Sequence, residues 1–160
     1  MAERPMLSTA TIRRARLDEA ALLTALTVRA EEAWGYDADF MAWADEAFTV
    51  TPAYIAAMPV YVLDHAGVVV GFYGFRGSVP ELDLNYLMVE PARQRTGCGT
   101  RLWRHAVATA RQLGATTLTI DSDPHAEAFY RAMGATTVGE GPRHAPGLPD
   151  WYLRKMRFLL

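Results

Sequence analysis

The stretch from Leu82 to Leu113 constrains the fold of this chain more than any other. Leu82-Asp83-Leu84-Asn85-Tyr86-Leu87-Met88-Val89 is rich in apolar residues and stops at Glu90-Pro91, as a buried strand does. From Thr100 onward, Leu102, Ala106, Ala110 and Leu113 recur at helical spacing, with Trp103 and Val107 beside them. Gly114 stands just past the end, where a C-capping glycine belongs. A strand, a tight turn and an amphipathic helix in immediate succession form an α/β unit.

The turn carries the chemistry. Gly97 and Gly99 lack a Cβ, so the backbone there can approach a ligand closely. The first N–H groups of the helix have no helical acceptor and sit at the positive end of its dipole. Arg93 and Arg95 add full positive charge. Such a helix start suits a phosphate or pyrophosphate; the plainer alternative is a glycine-bearing turn with exposed arginines. Two nucleotide-binding motifs fail on residues. The dinucleotide fingerprint needs a third glycine where Leu102 stands, and the NTPase phosphate loop needs a lysine, whereas Lys155 is the only lysine in the chain.

Gln94-Arg95-Thr96-Gly97-Cys98-Gly99 resembles the Gln/Arg-x-x-Gly-x-Gly/Ala signature of the GNAT superfamily of acyl-CoA-dependent N-acyltransferases. Further on, Asp123-Pro124-His125-Ala126-Glu127-Ala128-Phe129-Tyr130-Arg131-Ala132-Met133-Gly134 resembles that family's Asn-x-x-Ala-x-x-Phe-Tyr-x-x-x-Gly segment. The resemblance covers nearly the whole chain, and Trp34-Gly35-Tyr36-Asp37 looks like the same stretch in a bacterial subgroup. It implies that Gln94, Arg95, Thr96, Gly97, Cys98, Gly99 and Thr100 hold the pyrophosphate of coenzyme A. It implies too that the backbone of Met88 and Val89 pairs with the pantetheine arm like an added strand, and that Phe129 borders the cofactor. Tyr130 matches the tyrosine that protonates the leaving thiolate. Asp123 departs from the family's asparagine, and a carboxylate cannot donate the amide hydrogen bond.

Composition sets the remaining bounds. A chain of 160 residues, 51% hydrophobic, is expected to form one domain, with Met1 to Thr9 as a loose tail. A net charge of −2 gives no general field for nucleic acid, and a single cysteine, Cys98, allows no internal disulfide. No apolar run is long enough to span a membrane and no signal peptide is seen, so a cytoplasmic, non-membrane protein is expected.

Along the chain, Thr11 to Ala15 is expected to open the sheet. Asp18 is expected to start a helix with Leu22, Leu23, Leu26 and Ala30 on its apolar face. Trp34-Gly35-Tyr36-Asp37 interrupts it, Asp37 caps a helix bearing Phe40, Met41, Ala44 and Phe48, and Thr51-Pro52 begins a further turn of helix. Val60–Asp64 and Val68–Phe75 read as an antiparallel hairpin turning at His65-Ala66-Gly67. Thr117–Ile120 is expected to pair parallel to the central strand, opening a groove if the two splay. Thr137–Glu140 is a strand, Gly141 to Pro149 a loop, and Leu153–Phe158 closes the sheet. The expected architecture is therefore α/β: a GNAT fold with a mixed, mainly antiparallel sheet, helices on both faces, and strands splayed at the CoA site.

The expected reaction is direct attack of an amine on the thioester of acetyl-CoA, with no metal, since the four histidines show no ligand spacing. An ammonium must first lose a proton. Glu81 or Asp83, on one face of the central strand, could take it, although strand carboxylates are more commonly solvated or paired. Asn85 shares that face and could line the acceptor end. Trp34 and Tyr36 could line an acceptor pocket or simply pack on the sheet. Cys98 sits in the phosphate turn, away from the expected thioester, and no Cys/His pair suggests a covalent route. His105 and His125 are expected on helix surfaces, and His144, in the late loop, could contact an acceptor. A small-molecule primary amine is the expected acceptor, with a protein or peptide amine as the alternative. An acyl-CoA-binding sensor is the rival of another class, and a homodimer is what the resemblance implies.

Overall fold

The computed structural model describes residues 9–141, 145–149 and 152–160; residues 1–8 of the expected tail and His144 lie outside them. Strand β1 (Ala10–Arg14) leads through a 3-10 turn at Leu17–Glu19 into helices α1 (Ala20–Glu32), α2 (Ala38–Ala47) and α3 (Pro52–Ala57). The hairpin β2 (Val60–His65) and β3 (Val68–Ser78) precedes β4 (Glu81–Val89), and a 3-10 turn at Pro91–Arg93 carries β4 toward α4 (Cys98–Gln112). Then come β5 (Thr117–Ser122), a 3-10 turn at Pro124–Ala126, α5 (Glu127–Ala132), β6 (Thr136–Gly141) and β7 (Leu153–Leu159). No helix among the described residues is long and apolar enough to cross a membrane.

The seven strands form one sheet in the order β1-β2-β3-β4-β5-β7-β6. Only β4 and β5 run parallel. The chain thus has the expected mixed, mainly antiparallel sheet with helices on both faces. Strand β7, the last of the chain, completes the sheet by inserting between β5 and β6, which leaves β6 outermost.

The two faces are covered by different helices. Leu102, Trp103, Ala106, Val107 and Ala110 of α4 pack with Tyr73, Phe75, Leu82, Leu84 and Leu118 on one side. Leu23 and Leu26 of α1 and Ile55 of α3 pack with Val60, Val62, Phe72 and Tyr86 on the other. Two residues expected on apolar faces are exposed, Leu22 at 44% and Leu113 at 45%. Leu22 lies one residue, about 100° of helix, off the stripe that Leu23 begins, and Leu113 lies beyond the last turn of α4. Asp37 accepts from Phe40 N at 2.9 Å, and Thr51 accepts from Tyr54 N at 3.1 Å, both as expected of caps. Asp18 caps nothing; the neighbouring Glu19 accepts from Arg16 N at 2.8 Å and is clamped by two Arg13 hydrogen bonds of 2.9 Å.

Two irregularities in β4 position the site. Its pairing with β5 is limited to Glu81↔Thr117, Leu82↔Leu118 and Asp83↔Thr119, so from Leu84 onward the strands diverge. On the other edge, β3 matches Gly74 to Tyr86 but Phe75 to Leu84, which makes Asn85 an extra, bulged residue. The bulge reverses the alternation beyond it. Leu87 and Val89 pack with Leu82 and Leu84 toward α4, while Tyr86 and Met88 face α1 and α3.

Candidate active site

The diverging strands open a wedge that holds two adjoining cavities of about 110 and 450 Å³. Trp34, Leu87, Val89, Gln94, Ala126 and Tyr130 line both, so the wedge is continuous through the sheet. Along it, β4 residues from Leu84 to Val89 lack a β5 partner, which leaves one edge of the strand unpaired. Unpaired strand edges accept an extended ligand.

The larger cavity ends at the start of α4. Gln94, Arg95, Gly97, Gly99 and Thr100 line it, as the motif requires. Gly97 holds φ +90°, a left-handed conformation that glycine adopts without a Cβ penalty, and its carbonyl accepts the first helical bond, from Arg101 N at 3.0 Å. The N–H groups of Cys98, Gly99 and Thr100 therefore have no intrahelical acceptor. A Cβ on Gly99 would lie 3.4 Å from the Phe129 ring, so the absence of a side chain keeps this corner open beside Val89. The Thr96 hydroxyl donates to Arg93 O and lies 3.2 Å from Cys98 Sγ, which ties the two ends of the turn together. Cys98 itself is 3% exposed and belongs to neither cavity lining, so only its backbone contributes to the turn.

Tyr130 stands where the two cavities meet. Its ring lies against Trp103 of α4 at 5.8 Å and Phe129 at 5.3 Å, which fixes its direction. Its hydroxyl has no hydrogen-bond partner among the described residues, yet no buried side-chain oxygen there is unsatisfied, so the hydroxyl opens into the wedge. Burial pushes its pKa well above the usual phenol range, and the charges of Glu31 and Asp83 add to the shift. It remains protonated at neutral pH.

Asp123 explains its own departure from asparagine. It accepts from His125 N at 2.8 Å and from the Tyr36 hydroxyl, and His125 Nδ1 lies 2.7 Å from its Oδ1. An ionised carboxylate offers acceptors only, so the imidazole nitrogen carries the hydrogen. The Trp34 ring stacks on His125 at 4.8 Å and 12°, and Tyr36 meets it edge-on at 5.7 Å. Trp34 thus forms a wall of the wedge. Tyr36 lines neither cavity and ties the α1–α2 corner to β5. His125, expected on a helix surface, is part of the larger cavity, while His105 is half-buried with Nδ1 2.7 Å from the Tyr73 hydroxyl.

Glu81 and Asp83 lie at the closed end of the wedge, in the stretch still paired with β5. Asp83 accepts from Arg76 at 2.8 Å and Thr119 at 2.9 Å, and Glu81 is exposed near Arg157. Neither lines the wedge, so their expected role as base does not fit their placement. Asn85 and Met88 do line the smaller cavity. A carboxylate not anticipated from the sequence, Glu31, lines it as well and is only 7% exposed. Its signal was present: Leu23, Thr27, Ala30, Glu31 and Trp34 follow one helical stripe, and a charge on such a stripe points inward.

A family model described as an acetyltransferase (GNAT) domain matches residues 43–151, and the chain belongs to this GNAT acetyltransferase family. The chain is similar to the 5-NmdU N-acetyltransferase of Pseudomonas phage PaMx11, being 34% identical over 83 residues. That match spans 51% of this chain and 59% of the phage protein. Its structure is similar to a GCN5-related N-acetyltransferase from Rhodopseudomonas palustris, with 26% identity and a TM-score of 0.77 over 95% of this chain and 96% of that one. It is similar also to the PaiA N-acetyltransferase of Thermoplasma acidophilum in complex with coenzyme A, with a TM-score of 0.79 over 94% and 99% of the two chains. At 13% identity the latter likeness speaks for the fold alone.

Proposed function

We propose that the chain transfers an acetyl group from acetyl-CoA to the primary amine of a small molecule. The observation that carries this is the position of Tyr130, a protonated phenol open to the wedge where the larger cavity meets the smaller one. The residues present fit coenzyme A. The free N–H groups after Gly97, the open corner at Gly99 and the side chain of Arg95 suit a pyrophosphate. The unpaired edge of β4 near Met88 and Val89 suits an amide-bearing arm, with Phe129 on the opposite wall.

When bound, acetyl-CoA supplies a thioester carbonyl open to attack by an amine. Tyr130 holds the proton that the departing sulfur needs. Trp34, positioned by His125 and in turn by Asp123, walls the meeting point of the cavities and limits access of water. The smaller cavity, about 110 Å³, favours a small acceptor over a folded protein surface. The phage relative is named a 5-NmdU N-acetyltransferase, which supports transfer of the acetyl group to a nitrogen.

The experiment is release of free thiol from acetyl-CoA across polyamines, aminoglycosides, amino acids and short peptides, with CoA binding followed by calorimetry. Amine-dependent thiol release supports the transferase. Tight CoA binding with no release across the panel would replace it with an acyl-CoA sensor.

A further inference from the structure

Lys155 supplies the one primary amine on any side chain of this protein. It stands on β7 opposite Asp121 of β5 and Gly139 of β6. Its stem does not rise straight off the sheet. A Cβ on Gly141 would lie 2.0 Å from Lys155 Cε and 3.1 Å from Nζ, so the side chain lies over Gly141, in space that only a glycine leaves. Gly141 is two residues along β6 from Gly139 and is the partner of Leu153, so the lysine leans about 7 Å toward Leu153. Leu153 and Asp121 both line the smaller cavity, and Nζ lies 2.7 Å from Asp121 Oδ1. The groove that Lys155 itself lines, about 440 Å³, adjoins that cavity at Ile120 and Asp121. A primary amine is therefore held at the rim of the cavity into which Tyr130 opens. Stability does not account for it. Both partners of the ion pair are partly exposed, 39% and 23%, and such pairs add little. Arginine, which the chain uses for every other fixed cation of a side chain, would hold Asp121 at least as well. What lysine alone offers is a nitrogen that becomes a nucleophile on losing a proton.

We infer that Lys155 is a self-acetylation site: it takes the acetyl group of the acetyl-CoA bound to its own chain. The inference rests on the acetyl-transfer reading and adds to it an acceptor within the protein. The Lys155 ammonium gives one proton to solvent and becomes an amine with a free lone pair. The flexible four-carbon stem turns Nζ from Asp121 into the cavity it borders. The C–N bond forms as the C–S bond of the thioester breaks, and the sulfur takes the Tyr130 proton. The second amine proton restores Tyr130, so one proton is released for each amide formed. The product is an uncharged amide, so the modification also removes the ion pair with Asp121 and leaves that carboxylate facing the cavity without this cation.

The test incubates the protein with acetyl-CoA and no added amine, and follows free thiol, intact mass and a chymotryptic map. The wild type is expected to release one thiol per chain in a burst, to gain the mass of one acetyl group, and to carry it on Lys155. At saturating acetyl-CoA the rate constant should not change with protein concentration, because donor and acceptor sit on one chain. It should exceed that of the urea-unfolded chain by at least about tenfold, since unfolding leaves only encounter in solution. Excess CoA should slow it. Lys155→Arg keeps a cation beside Asp121 and should lose the burst. An acetyl group found only on the amino terminus overturns the inference. So does a rate on Lys155 that CoA leaves unchanged, that matches the unfolded chain, or that rises with protein concentration. Thiol release with the amine panel reads the parent reaction separately. Release there with Lys155 unmodified overturns this inference and leaves acetyl transfer standing; CoA binding with neither release nor modification overturns both.

Discussion

Tyr130→Phe separates chemistry from fold more cleanly than any other change in this chain. The ring keeps its contacts with Trp103 and Phe129, and the lost hydroxyl makes no hydrogen bond among the described residues. Stability should therefore move by no more than about 0.5 kcal/mol, as for a substitution that removes no packing and no partner. CoA affinity should stay within about twofold, since the pyrophosphate turn and the β4 edge are untouched. Turnover should fall. A positioned acid contributes roughly 10²–10⁴-fold, and burial has raised this phenol far above the thiol range near 8.5, which makes it a reluctant donor. The lower end applies, about a hundredfold in kcat, or about 2.7 kcal/mol of barrier. The assay is thiol release at saturating acetyl-CoA with the amine the wild type turns over fastest, beside calorimetry with CoA and a thermal melt. A kcat within twofold of wild type, at unchanged CoA affinity, would refute the role of Tyr130 as acid.

Gly97→Ala forces a Cβ onto φ +90° and should weaken CoA binding about fivefold, from a strain of about 1 kcal/mol, measurable by calorimetry. Asp123→Asn removes one of the two acceptor oxygens that Tyr36 and His125 use; a loss of about 1 kcal/mol in stability and a change in Trp34 fluorescence should accompany it. Glu19→Gln breaks the paired hydrogen bonds to Arg13, so the protein should lose about 2 kcal/mol at pH 7 in a denaturant titration. The Arg13 guanidinium holds the Glu19 pKa below its ordinary 4.5, so its contribution is complete above that value and disappears as the pH falls through the lower folded one. The variant should accordingly lose less stability than wild type on acidification below about 4.5.

What could be read from the sequence was local. The periodicity of β4 and α4, the Asp37 and Thr51 caps and the glycine turn at Gly97 each depend on neighbours within a few residues, and each formed as expected. What could not be read was set by pairing between distant segments. Nothing in Leu82–Val89 announces that β5 leaves it after Asp83, or that β3 skips Asn85. Strict alternation therefore made Glu81 and Asp83 look like neighbours of the reaction, although the part of the strand they occupy is the part that stays paired. The link from Tyr36 to Asp123 spans 87 positions and has no local signature at either end.

The wedge and the chemistry have one cause. A parallel pair of strands satisfies its backbone groups by pairing along its whole length. Here β4 continues to Val89 after losing β5, and β5 continues to Ser122 after losing β4, so both strands hold backbone groups ready for another partner. Such an arrangement is tolerated when water or a ligand fills the gap. The sheet supports it because β5 is held on its far side by β7 from Thr117 to Ser122, and β4 by β3 up to Val89. The Arg29–Glu90 ion pair then ties the last turn of α1 to the end of β4. Glu31 and Trp34, which follow shortly after that tie, line the smaller cavity, so the contact also holds this wall of the wedge. Loosening it with Arg29→Ala should therefore weaken CoA binding in calorimetry, and an unchanged affinity would argue that α1 merely covers the groove.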